Sequence, residues 1–319
     1  MAARFPSIAL AAISLTFGLC LAWLASLWLL PAEQVTWTRG LAAADPVIGW
    51  RPARPGVYHA RGIDRHSGSI IYDATYTIDA DLMRKTASCA TCGTIGFFGD
   101  SLTFGTGLED ADTLPQQVAD RLPDSRVVNL GLPGSGPQQF LRELETGIFD
   151  KAIGPKPALF VYLTGAWMVE RSACKAPWVA RAPRYVLENG ALVRKGICAD
   201  TNLLPRRLRR TSIYRAFMEP LTRRIGRADV DLDIAILLQA AALAKAKYGV
   251  PTLFLFINED AVTREIAARL TAAGHKTLDL ALAVPGLEIE GDGHPTALAN
   301  RLRAEMIAHS LKSNEAALR

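Results

Sequence analysis

The stretch Gly96-Phe97-Phe98-Gly99-Asp100-Ser101-Leu102-Thr103-Phe104-Gly105 decides how this 319-residue chain is read. It runs from a short apolar strand through a tight Gly-Asp-Ser turn into the start of a helix. A turn of that shape lifts a serine hydroxyl to the end of a sheet and aims unpaired helix N–H groups at it. Serine is a poor nucleophile until a base takes its proton, and a carboxylate orients that base. Far downstream the chain supplies Asp292-Gly293-His294-Pro295. Ser101, His294 and Asp292 are therefore the candidate nucleophile, base and orienting carboxylate, with Glu290 a second candidate for the last role. Taken alone, Ser101 also has a blander reading as a helix N-cap, and a lone histidine is more often structural. The pairing of the two points to ester hydrolysis or acyl transfer.

Outward from this turn, short apolar runs recur at residues 94–98, 127–130, 158–163, 252–257 and, more weakly, 276–280. Helical patterns fall between them at 114–122, 138–148, 231–247, 260–273 and 296–311. Widely spaced apolar strands alternating with helices predict an α/β fold, a three-layer doubly wound parallel sheet. Ligands in such sheets sit at the carboxyl ends of the strands, where Ser101 falls. Residues 165–229 break the alternation and read as an inserted cap. Residues 45–90 are β-rich and turn-rich, a small β appendage ahead of the catalytic unit at 91–312.

A second glycine-rich turn, Val128-Asn129-Leu130-Gly131-Leu132-Pro133-Gly134-Ser135-Gly136-Pro137, again follows a strand and precedes a helix. Together with the Gly-Asp-Ser turn and the late Asp-x-His, it resembles the SGNH/GDSL hydrolase superfamily. The resemblance implies a flavodoxin-like sheet and an oxyanion hole built from the Ser101 and Gly131 N–H groups. It gives Asp100 a structural role in holding the turn, and it requires no metal or cofactor. The third family block is usually Gly-x-Asn-Asp, whose asparagine completes the oxyanion hole. Here the strand ends Tyr162-Leu163-Thr164-Gly165-Ala166-Trp167-Met168, with no asparagine. Either two donors suffice, another group fills in, or the site is weakened; losing one oxyanion donor costs about 10²–10³ in rate. The Asp-x-His spacing is similar to that of periplasmic members acting on cell-surface polysaccharides, including alginate O-acetylation proteins. The lead-in, with Gly49-Trp50-Arg51-Pro52 and Tyr72-Asp73-Ala74-Thr75-Tyr76, resembles one attached to membrane-anchored members.

Residues 8–30 form an almost wholly apolar run of 23, about 35 Å of helix. That length spans a bilayer, and its bulky end at Trp28-Leu29-Leu30 lacks the small residues of a cleavage site. The expectation is an uncleaved, single-pass transmembrane signal anchor. A short cytoplasmic tail at 1–7 precedes it, and the rest faces the periplasm or cell exterior. Cys89, Cys92, Cys174 and Cys198 then lie in an oxidising compartment, where Cys174–Cys198 and Cys89–Cys92 are the favoured disulfides. A redox pair at 89/92, a four-cysteine zinc site and free thiols are the alternatives.

The net charge of +5 hides an asymmetry. Between Arg171 and Arg227 there are 14 Lys/Arg and 3 Asp/Glu. This segment is either a solvated face or a contact for anionic lipid or an acidic polysaccharide. Nothing in the chain reads nucleic acid. Three functions follow from these features: a membrane-anchored esterase acting on an acyl ester of a glycan or lipid, an O-acyltransferase using the same triad, and an inactive glycan-binding or assembly module.

Overall fold

The computed structural model of the protein describes residues 5–29, 35–36, 40–64, 66–201, 206–209 and 211–317. Helix α1, Phe5–Leu29, opens the chain. Its stretch Ala9–Leu29, with mean hydropathy 2.0, is long and apolar enough to cross a membrane. Leu30, Glu33 and the first four residues of the expected tail lie outside the described residues.

The lead-in holds five strands: β1 Val35–Thr36, β2 Ala42–Asp45, β3 Gly49–Pro52, β4 Gly56–Asp64 and β5 Ile70–Ile78. Strands β2 and β3 form one hairpin, and β4 and β5 form a longer one that β1 joins. The chain then enters β6 Thr94–Gly99, α2 Ser101–Phe104, α3 Leu114–Ala119, β7 Arg126–Gly131, α4 Pro137–Thr146, α5 Asp150–Ile153, β8 Pro157–Leu163 and α6 Ala166–Ser172. The insertion contributes a hairpin, β9 Pro183–Glu188 and β10 Ala191–Ile197, then α7 Arg206–Arg209 and α8 Glu219–Thr222. The chain closes with α9 Arg227–Leu243, β11 Thr252–Phe256, α10 Ala261–Ala272, β12 Lys276–Asp279 and α11 Ala297–Ala317.

The central sheet has the order β12-β11-β8-β6-β7, with every neighbouring pair parallel. Alternate residues of its strands feed two cores. Phe98, Phe160, Tyr162 and Phe254 pack with α4, α9 and α10 on one face. Phe97, Val161, Leu163 and Leu255 pack with α3 and α11 on the other. This is the expected three-layer sheet, and burial on both faces is why its strands read as unbroken apolar runs. Local signals set the ends of the helices. Asp260 accepts the Val262 and Thr263 N–H groups ahead of α10. The Gly226 N–H donates to Asp229 at the start of α9. Gly249, at φ +72°, ends the π-turn Ala244–Tyr248 that follows α9. Both favoured disulfides form, Cys89–Cys92 and Cys174–Cys198, with Cα separations of 5.7 and 5.1 Å.

Candidate active site

Ser101 is the first residue of α2, half-buried at the carboxyl end of β6. From β6 the chain passes to β7 on one side and then to β8 on the other. That reversal makes the end of β6 the switch point of the sheet, where doubly wound folds open a crevice. Asp100 beside it is fully buried. Its Oδ1 accepts the Leu102 N–H at 2.9 Å and so caps α2. Its Oδ2 accepts Arg171 Nη1 at 2.6 Å and Trp167 Nε1 at 3.1 Å. Arg171 Nη1 also donates to the Ser135 carbonyl at 2.6 Å, and Ser135 Oγ donates to the Gly99 carbonyl at 2.8 Å. One guanidinium therefore ties the serine turn to the second glycine-rich turn.

This arrangement corrects the reading of Arg171 as the edge of a solvated basic face. It is 9% exposed and ion-paired. Other bases of that segment are also paired, Lys175 with Asp229 and Arg223 with Glu170. Trp167 and Arg171 lie one turn apart on α6, so both reach the same carboxylate. Trp167 stands at the position where an asparagine was expected, but its indole N–H is committed to Asp100. The Ala166 N–H is likewise committed to Thr263 Oγ1 at 3.0 Å.

The structure also corrects the assignment of Gly131. Its N–H donates to Asn129 Oδ1 at 3.0 Å, so it offers nothing to an oxyanion. Asn129 is held in that pose because its Nδ2 donates to the Thr103 and Phe104 carbonyls. Gly131 is needed for space: a Cβ there would lie 2.5 Å from the Phe104 nitrogen. Further along the turn is Gly134, at φ +79°. Its carbonyl accepts Trp178 Nε1, while the neighbouring Pro133 carbonyl accepts Trp50 Nε1. Among the described residues neither the Gly134 N–H nor the Ser101 N–H has a protein acceptor.

Asp292 and His294 meet. Asp292 Oδ2 and His294 Nδ1 are 2.5 Å apart, with the Asp292 carboxylate wholly shielded from solvent. Their loop is closed by its own backbone: the Ile289 N–H donates to the His294 carbonyl and the Thr296 N–H to the Leu287 carbonyl. It lies against the segment that Ser101 begins. Ile289 packs on the cluster containing Phe104, and a Cβ on Gly107 would lie 2.7 Å from its side chain. The Asp292 charge helps to raise the Tyr72 and Tyr76 hydroxyls, though burial is the larger cause for both.

The lead-in is more than an appendage. Tyr76 Oη accepts the Gly107 N–H at 2.7 Å, and its ring meets Phe104 edge-on. Arg84 is buried under the site, bonded to Asp110 Oδ1 and the Leu108 carbonyl, each at 2.7 Å. Neither Arg84 nor Arg171 was distinguishable by residue type from the other arginines.

No family model matches the chain, and no curated protein sequence does. Solved structures resemble it in part. A member of the lipolytic G-D-S-L family from Veillonella parvula is 13% identical, with a TM-score of 0.42 over 68% of this chain and 97% of that one. A carbohydrate acetylesterase from Sinorhizobium meliloti is 12% identical, with a TM-score of 0.41 over 69% and 99%. A family two carbohydrate esterase from Clostridium thermocellum, solved with cellohexaose, is 11% identical, with a TM-score of 0.41 over 73% and 67%. Likenesses of this size decide nothing about chemistry, which rests on the site itself.

Proposed function

We propose that the protein is a membrane-anchored serine esterase of SGNH type that removes short acyl groups from a cell-surface glycan or lipid. The observation that carries this is the Asp292–His294 pair, held on a closed loop whose Ile289 packs on the Phe104 cluster a few residues after Ser101. In this reading Ser101 Oγ attacks the ester carbonyl while His294 Nε2 takes its proton. Asp292 holds Nδ1–H and the imidazole orientation. The tetrahedral oxygen accepts the Ser101 and Gly134 N–H groups, Gly134 taking the place of Gly131. His294 then protonates the leaving alcohol, and water, activated by the same base, releases the acyl group. A sugar hydroxyl in place of water would make the same site an O-acyltransferase. Helix α1 crosses the inner membrane once and leaves the catalytic unit on the periplasmic or outer side.

A second reading, a glycan-binding or assembly module without turnover, is favoured by one observation: Asp100 takes the indole donor of the third block. A chromogenic acetate ester and a fluorophosphonate probe separate the two. The esterase requires wild-type turnover, lost in Ser101→Ala and His294→Ala, and labelling of Ser101. A folded wild type that neither turns over nor labels leaves the binding module.

A further inference from the structure

Ester chemistry leaves one part of the insertion unexplained. From Ser212 to Thr222 the chain is helical, through a π-turn at Tyr214–Met218 into α8. Tyr214, Phe217, Met218 and Leu221 fall at i, i+3, i+4 and i+7, a single stripe on the helix. Phe217, Met218 and Leu221 are exposed, and exposed Leu208 and Ile225 flank them. Soluble surfaces scatter such side chains singly; gathered together they mark a contact. Between residues 206 and 225 there are also seven arginines against one acid, Glu219. An apolar stripe bordered by arginine is the pattern of a helix lying in a membrane interface.

The second observation is independent of composition. This helix touches α1, and Ser26 Oγ and Ser212 Oγ share a hydrogen bond at 2.8 Å. Between residues 9 and 29 Ser26 is the one buried residue of α1; Ala22 is half-buried and the others are exposed. Ser26 lies three residues before Leu29, about 4.5 Å along the axis. A bilayer crossed by α1 therefore has its outer boundary close to the level of Ser212, and the helix that follows starts at that depth. Beneath it is a cavity of about 460 Å³ lined by Arg209, Tyr214, Glu219 and Lys175. Arg209 Nε is screened from solvent there and makes no hydrogen bond among the described residues.

We infer that residues 206–209 and 211–225 lie on the outer surface of the bilayer that α1 crosses. Leu208, Phe217, Met218 and Leu221 enter the acyl boundary, and the arginines meet anionic headgroups. The inference rests on α1 as a membrane span. Headgroup phosphates suit arginine because its fork donates in pairs to their oxygens. The contact also reaches the site: Arg223 pairs with Glu170 on α6, and the next residue, Arg171, holds Asp100. Seating the segment would set the height and tilt of the serine edge above the membrane.

The test uses the full chain with Cys20→Ser. An environment-sensitive fluorophore is placed at Phe217→Cys, Leu221→Cys or, as a control on an exposed loop, Val284→Cys. Each variant is reconstituted in phosphatidylcholine vesicles with or without about one part in three of phosphatidylglycerol. Flotation with the vesicles reports α1. Lipid-borne quencher is expected to act on positions 217 and 221 at least about two-fold more than on 284, and more strongly in the anionic vesicles. Flotation with equal quenching at all three positions overturns the inference and leaves the anchor intact. Failure to float overturns both. Blue-shifted but unquenched emission at 217 identifies a protein occupant, such as a second copy, and overturns the lipid assignment. Equal quenching in neutral vesicles overturns the anionic one.

Discussion

Asp100 and His294 hold the two ends of the proposed site by different means. Asp100 is buried, with three donors on its carboxylate, and two of them come from α6, far along the chain. His294 rides on a loop between β12 and α11 that is closed by its own backbone pairs, and its carboxylate partner is two residues away. The serine end is thus part of the fold's buried ionic structure, whereas the histidine end is a local device resting on it. Damage at the first should fall mainly on stability; damage at the second should fall mainly on the chemistry.

Loss of the base gives the largest effect. His294→Ala is expected to lower acetate-ester turnover by about 10³-fold or more. Its unfolding free energy should fall by only about 1–3 kcal/mol, because the shielded Asp292 carboxylate loses its imidazole partner. Paired initial rates and denaturant melts check this, and a large loss of stability would erase the contrast. Arg171→Met addresses the other end. It leaves the Asp100 carboxylate buried and uncompensated, which typically costs about 3–5 kcal/mol. Turnover should fall with stability, because the serine turn and the Ser135 turn lose their shared clamp. Adding Asp100→Asn to Arg171→Met removes the stranded charge and should recover part of the stability, so denaturant midpoints around that cycle measure the coupling.

The smallest effect tests whether buried carboxylates behind the clamp matter. Burial pushes Asp233 up to about 7 and Glu143 up to about 8. Unfolded carboxyls titrate near 4, so between pH 4 and 8 the folded state binds more protons than the unfolded one. Stability contributed by these groups is complete below pH 4 and is lost as pH rises through 7 and 8. Melting temperature should therefore decline from pH 5 to pH 8. Asp233→Asn should flatten the decline, and an unchanged slope in that variant would remove Asp233 from the account.

Much of the catalytic unit was legible because its signals are local. The apolar runs at 94–98, 127–130, 158–163 and 252–257 became β6, β7, β8 and β11, each shifted by a residue or so. The expected helix at 231–247 starts at Arg227, where Gly226 and Asp229 form its first turn. The late Asp-x-His pair forms the expected contact, because two residues on one tight loop have few other choices. Gly131 was misread for a physical reason: which N–H in a glycine-rich turn stays free depends on where Asn129 folds back. That depends in turn on carbonyls of Thr103 and Phe104, 26 and 25 residues earlier.

From the sequence alone came the layered α/β sheet, the serine at its edge, the histidine with its carboxylate, and an apolar N-terminal helix. Each rests on periodicity or on neighbours along the chain, where side-chain chemistry and backbone geometry are coupled directly. The tertiary structure alone decided which arginines are buried clamps and which are surface charges. Arg171 and Asp100 are 71 residues apart, and a guanidinium carries the same charge in water as against a buried carboxylate. Only the packing of α6 against the switch point removes the water and makes that charge structural.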